Sequence, residues 1–195
     1  MKVKFGIKNV YYSVYTEGTG SEAGTYAAPV KLPGAVSLSL ENDGDTSNFY
    51  ADNVNYFTTS SSSGGSGSLE TALADKAFRK AVLGEIEDSH GMLVEVANAV
   101  RPSFALLFEV ATDEDPIRFV LYNCTANTPN LEANTTTDTT EPDTDTIEFA
   151  YASREFAYGT GSTIDATLGK LIKSSSNTEQ YNAFYNAVLL PSPTA

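Results

Sequence analysis

The chain has 195 residues, a net charge of −13, one histidine, one cysteine and no tryptophan. That length suits a single domain, 1–195, which buries about 70% of its unfolded surface and needs no disulfide or metal. The acidic balance argues against a surface that grips nucleic acid, which needs clustered Lys and Arg, and a lone cysteine excludes an internal disulfide.

The chain begins MKVKFGIKNV, charged and without an apolar core, and no stretch approaches the ~18 apolar residues of a membrane span. A soluble protein without an export signal is expected. Val3, Phe5 and Ile7 alternate with lysines, which predicts a half-buried first strand whose edge charges discourage wrong pairing. Gly6 and Lys8-Asn9 mark a bulge, because the alternation changes phase into Val10, Tyr12 and Val14. Residues 16–25 read as a loop whose glycines miss the dinucleotide fingerprint.

The organising stretch is 32–57. Val36, Leu38 and Leu40 alternate with Ser37 and Ser39, so one face is buried and the other solvated or docked. A polar turn is expected at Asn42–Thr46, and the apolar pattern resumes at Phe49, Tyr50, Val54, Tyr56 and Phe57. That much apolar surface between a polar turn and a Ser/Gly tract predicts an arm, 41–68, that packs on something else. Asp52 and Asn53 sit among the aromatics, either fixing register with the next chain or capping the turn locally. Thr58–Ser68, by composition, reads as a flexible loop tip, followed by a short strand at Leu69–Leu73.

Asp75 reads as the N-cap of a helix over 75–83 that ends at Gly84, with Phe78 and Val82 on one face. It is expected to be the only helix of any length. Strands follow at 92–96, at 104–110 with both faces covered, and at 117–126, hairpinned across Asp113–Pro116. A Thr/Asp-rich segment precedes a strand at 147–152. Six carboxylates and no base lie between Asn127 and Glu148. The remainder reads as a polar loop that ends in an apolar C-terminal segment, 181–195. Strand after strand with one short helix is a mainly β pattern, most simply two packed sheets.

No catalytic, metal or cofactor constellation stands out. His90 lies in a turn and Cys124 in an apolar strand, which predicts an inert thiol. Asn42–Asn48 is oxygen-rich but lacks calcium-loop spacing. Asn123 and Asn134 open formal glycosylation sequons, without meaning in a chain lacking a secretion signal.

Five segments carry a resemblance: KFGIKNVYYSVYTE (4–17), LPGAVSLSLENDGDTSNFYADNVNYF (32–57), AFRKAVLGEIEDSHGMLVE (77–95), FALLFEVATDEDPIRFVLYNCTANTP (104–129) and FYNAVLLP (184–191). In order and over more than half the chain, they resemble the major tail proteins of long-tailed, non-contractile bacteriophages (siphoviruses) of Gram-positive hosts. The resemblance implies a non-enzymatic structural virion protein that self-assembles into hexameric rings, stacked as the tail tube through which DNA is ejected. It implies a β-sandwich rolled towards a barrel, flanked by the short helix, with the hairpin arm reaching neighbouring subunits through Phe49, Tyr50, Asp52, Asn53, Val54, Tyr56 and Phe57. Implied partners are further copies of the chain, the tape measure protein, tail-end proteins, and DNA that passes without specific binding. No membrane is involved, and the location is the virion tail, reached from the host cytoplasm. The rival reading is a β-sandwich module that binds carbohydrate or a surface, disfavoured by the missing tryptophan.

Overall fold

The strand-forming stretches pair almost entirely into one antiparallel sheet. The computed structural model of the chain describes residues 3–19, 23–51, 54–130 and 143–193. Strand β1 (Lys4–Thr16) changes register between Lys4 and Gly6 and between Lys8 and Tyr11, where Asn9 has a φ of 49°. These are the expected bulges. Two short strands, β2 (Thr25–Tyr26) and β3 (Val30–Lys31), fold back onto β1.

β4 (Ala35–Ala51) and β5 (Val54–Thr71) then form a hairpin of 17- and 18-residue strands. After helix α1 (Lys76–Ala81) comes a two-stranded ribbon, β6 (Ile86–Glu87) with β7 (Leu93–Val94). β8 (Phe104–Thr112), β9 (Ile117–Ala126) and β10 (Asp145–Ala152) complete the large sheet, and β11 (Arg154–Ala157) pairs with β12 (Thr163–Ala166). β13 (Leu168–Leu171) and α2 (Thr178–Ala183) end the order.

The sheet runs β2-β1-β8-β9-β10-β5-β4, with β3 also on β1 and β13 also on β9. One edge of β9 is shared: β13 takes residues 118–121 and β10 takes residues 123–126. The expected mainly β architecture holds, but pairing passes through one curled nine-stranded sheet rather than two, and the sheet does not close into a barrel. Its concave side gathers Val10 and Tyr12 from β1, Leu69 from β5, Phe104 and Leu106 from β8, and Ile147 and Phe149 from β10 into one core. Phe78 of α1 and Val82 at its C-cap close that core, with the Phe78 ring edge-on to Tyr12 at 5.1 Å and to Phe104 at 6.2 Å. Each such side chain contributes about 1.5–3 kcal/mol by leaving water. α1 itself is too short to stand alone and depends on this docking. Its start is the predicted one, with Asp75 accepting from the Phe78 N–H at 2.7 Å, and Gly84 leaves it at a φ of 74°.

β8 is covered on both faces, as its unbroken apolar run predicts. Phe104, Leu106 and Phe108 enter the first core, whereas Ala105 and Leu107 enter a second with Val120, Tyr122 and Phe184.

Four expectations are corrected. The Ser/Gly tract is no loop tip: it is an interior stretch of β5, paired to β4 along its length and, from Gly64 on, to β10 on the other side. Composition misleads here because the glycines make room for aromatic rings from neighbouring strands. A Cβ on Gly65 would overlap the Tyr151 ring and the Glu41 carbonyl, and one on Gly67 would overlap the Phe149 ring. Leu69–Leu73 is therefore no separate strand; Leu69–Thr71 simply ends β5. Asn42–Thr46 is no turn either, because β4 continues through it with a register shift between Asn42 and Gly44. The supposed polar loop after 153 holds three strands and a second helix, which carries Tyr181 and leads into Phe184, both buried against the sheet.

Candidate assembly surfaces

Alternation along four neighbouring strands gives the sheet one face of unusual chemistry that no described residue covers. Leu38, Leu69 and Ile147 form one row across β4, β5 and β10, and Leu40, Gly67, Phe149 and Ala126 form the next, all on the core side. The intervening rows point outward: Ser37–Glu70–Thr146, then Ser39–Ser68–Glu148, then Glu41–Ser66–Ala150–Thr125. Every one of these outward residues is Ser, Thr, Ala or Glu. Three are carboxylates, none is basic, and none is large and apolar. Local hydrogen bonds order the face, with the Ser37 and Thr144 hydroxyls donating to Glu70 at 2.9 and 2.8 Å. The flat, small-residue floor also lines an open hollow between Ser39, Ser66 and Glu148.

The same face continues over β8 and β9, but there it is closed by the C-terminal segment. Phe184 packs on Leu107 and Val120, and the Tyr122 hydroxyl donates to the Leu189 carbonyl at 3.0 Å. Beneath this cover lies a buried ion pair, Glu109 with Arg118 at 3.3 Å. Asn9 donates to Glu109 at 2.7 Å and the Tyr185 hydroxyl does so at 3.2 Å. The Arg118 guanidinium lies over the Tyr181 ring at 3.9 Å and donates to the Tyr181 carbonyl. A buried pair needs such added partners to offset its lost hydration. Together they bolt α2 to the sheet.

The second surface is the outer hairpin. β10 stops pairing with β5 at Gly64, so β4 and β5 beyond that point, Gly44 to Ser62 by register, pair only with each other among the described residues. Nine strand positions at ~3.4 Å each give a projection of about 30 Å. Ala51 opposes Val54 at the far end of the pairing. Of the residues expected to form the arm, Val54, Tyr56 and Phe57 are 58%, 74% and 60% exposed. Phe49 opposes Phe57 in the register, and Tyr50 opposes Asn55. Asp52 and Asn53 lie outside the described residues. The outer edge of β4 has no strand partner among the described residues. The sequence signals the hairpin through its surplus aromatics. The Ser/Thr/Glu face went unread, although its signal is the Ser/Leu alternation of β4 continued across β5 and β10.

His90 is exposed in the β6–β7 turn beside Asp88, and Cys124 is fully buried, its thiol pushed well above the usual range by burial. No group of three or more His, Cys, Asp or Glu among the described residues is placed to hold a metal.

No family profile matches the sequence, and no curated protein matches it. Three cryo-EM structures are similar in outline. The first is the anti-feeding prophage cap that terminates its tube, 10% identical with a TM-score of 0.47, over 85% of this chain and 93% of that one. The second is the sheath–tube complex of the PVC extracellular contractile injection system in its extended state, 13% identical with a TM-score of 0.39, over 84% and 88%. The third is the sheath/tube terminator of the same system, 14% identical with a TM-score of 0.40, over 82% and 94%. The likeness is distant.

Proposed function

We propose that this chain is a structural tail-tube subunit that assembles into stacked, hexameric rings and forms the conduit for DNA ejection. The observation that carries the reading is the uncovered face of β4, β5, β10 and the end of β9. A wall past which DNA slides must hold no phosphate, since a few Lys or Arg contacts already give salt-dependent binding. The outward rows contain Glu41, Glu70 and Glu148 with small polar residues and no base, which suits a lumen that repels the polyanion. The sequence resemblance supports the same reading, as does the projecting hairpin, whose Phe49, Tyr50, Asp52, Asn53, Val54, Tyr56 and Phe57 form the contact with a neighbouring subunit. In this reading residues 1–195 act as one tail-tube domain. The tape measure protein and tail-end proteins are its further partners, and its place is the virion tail after assembly in the host cytoplasm.

The test is to purify the full chain, concentrate it and image it by negative-stain and cryo-electron microscopy. Tubes with a central channel lined by Ser39, Glu41, Ser66 and Glu148 are expected. Introducing Glu41→Lys and Glu148→Lys should then make the tubes retain short duplex DNA in a salt-sensitive way. Tubes whose channel is lined by another face, or a protein that stays monomeric, would sink the reading.

A further inference from the structure

The sheet curls without closing, and a seam stays open where β1 comes near β4. From Lys4 to Lys8 the outer edge of β1 carries no strand among the described residues, since β3 takes Tyr11 and Tyr12 and β2 takes Tyr15 and Thr16. The outer edge of β4 is equally free. At this seam lies a cleft of about 480 Å³. Phe108 and Phe119, stacked with centroids 5.2 Å apart and planes 12° from parallel, line it beside Ile7 and Val110. Val36 and Leu168, 53% and 46% exposed, complete the apolar wall. Gly6 leaves room there, since a Cβ on it would meet nothing within 4 Å. With walls from β1, β4, β8, β9 and β13, this is a concavity and not a flat face. Its volume falls in the range of about 300–1,000 Å³ usual for small-molecule sites.

The charge around it is opposite to that of the chain. Lys4 lines the cleft, and the Lys170 ammonium lies 6.0 Å from the centre of the Phe119 ring. Neither ammonium pairs with a carboxylate among the described residues. No carboxylate is among the residues that line the cleft. Glu70 accepts from Ser37 and Thr144 on the outward face, and Glu109 is buried with Arg118 beneath the C-terminal segment. An alkyl chain here would cover Val36, Phe119 and Leu168, which the open seam leaves in contact with water. An anionic head on that chain would meet two lysines that have no other acid.

We propose that this cleft binds a free single-chain anionic amphiphile, an alkyl carboxylate, its tail along Phe119, Val36 and Leu168 and its head between Lys4 and Lys170. A bilayer is the poorer source of such a chain. The molecule carries a charge of −13, and Glu41 and Glu70 stand on β4 and β5 close by, so an anionic surface is repelled as a whole while one free molecule need meet only the lysines.

The test is calorimetric titration of the dilute full chain with monomeric decanoate, and with decanol as the uncharged probe of the same length. One decanoate per chain is expected, with the negative heat-capacity change that marks apolar burial. Lys4→Gln should weaken decanoate about tenfold at low salt and leave decanol within about twofold, while Lys4→Arg keeps both. Val36→Glu sets a carboxylate at an exposed position of the wall, and should remove decanoate binding with the urea midpoint unchanged. Many decanoates per chain, equal losses of the two probes in Lys4→Gln, or full affinity in Val36→Glu would overturn the site. Cosedimentation with anionic phospholipid vesicles without uptake of free decanoate would assign the lysines to a membrane and overturn it as well. Uptake only as a dimer dissociates, followed by sedimentation velocity, would give the cleft to a second copy instead.

Discussion

Gly65 and Gly67 show how single residues decide what the Ser/Gly tract becomes. Tyr151 crosses above Gly65, and its hydroxyl is close to the Glu41 carbonyl at 3.0 Å and Asn42 Oδ1 at 2.6 Å. A methyl group there meets backbone and ring together, so neither yields cheaply. Gly65→Ala should cost about 1–3 kcal/mol through overpacking, read as a lowered urea midpoint at constant slope. Ser66→Ala, one position along on the open face, should stay within about 0.5 kcal/mol. Equal losses at the two sites would contradict the aromatic-over-glycine packing. The same contrast explains why composition failed at this point. A run of Ser and Gly signals a flexible chain only when nothing else fills the space that glycine leaves, and the rings that fill it stand some 80 positions later in the sequence.

At the level of elements, the hairpin and α2 differ in what they do for the fold. Among its described residues the outer hairpin contributes no side chain to either core, so replacing residues 44–62 by Asn-Gly should leave the urea midpoint nearly unchanged while abolishing assembly in sedimentation velocity. Tubes of ordinary stability from that variant would remove the arm's assigned role. α2 behaves oppositely: Phe184 is buried against Leu107 and Val120, and Phe184→Ala should cost about 3–5 kcal/mol, measured by the same denaturation. β1, β8, β9, β10 and α1 were legible because their alternation, unbroken apolar run and Asp75 cap are local signals. The second helix was not. Its six residues, TEQYNA, hold one buried side chain, Tyr181, and their helical state depends on the distant Arg118 and the underside of β8 and β9. The candidate lumen face was hidden for a related reason, since its rows alternate strand by strand but gather on one side only once β10 has paired with β5.

For the molecule as a whole, the buried phenols set a limit at high pH. Burial raises Tyr26 and Tyr185 beyond the usual phenol range and pushes Tyr122 up to about 12. Each is neutral in the folded state where an unfolded tyrosine would ionise near pH ~10. Their contribution is therefore complete below that pH and is lost as pH rises through the folded values. Unfolding should be cooperative between about pH 10 and 12, with the 295 nm phenolate absorbance of the buried tyrosines rising in the same step as the loss of structure. Gradual ionisation with the fold intact would contradict it. The pairing of β1 with β8 has a consequence in time rather than in energy. Lys4 lies opposite Thr112, so although β2 and β3 pair with part of β1 early, its long partner β8 is made only roughly another hundred residues later, about 5–20 s at ordinary synthesis rates. Through that interval Val10, Tyr12 and Val14 are held in a nascent chain whose lysines at 4 and 8 repel like neighbours on a polysome. The cover over Leu107 and Val120, carried by Phe184, is made after every strand of the sheet, so the second core closes later than the first.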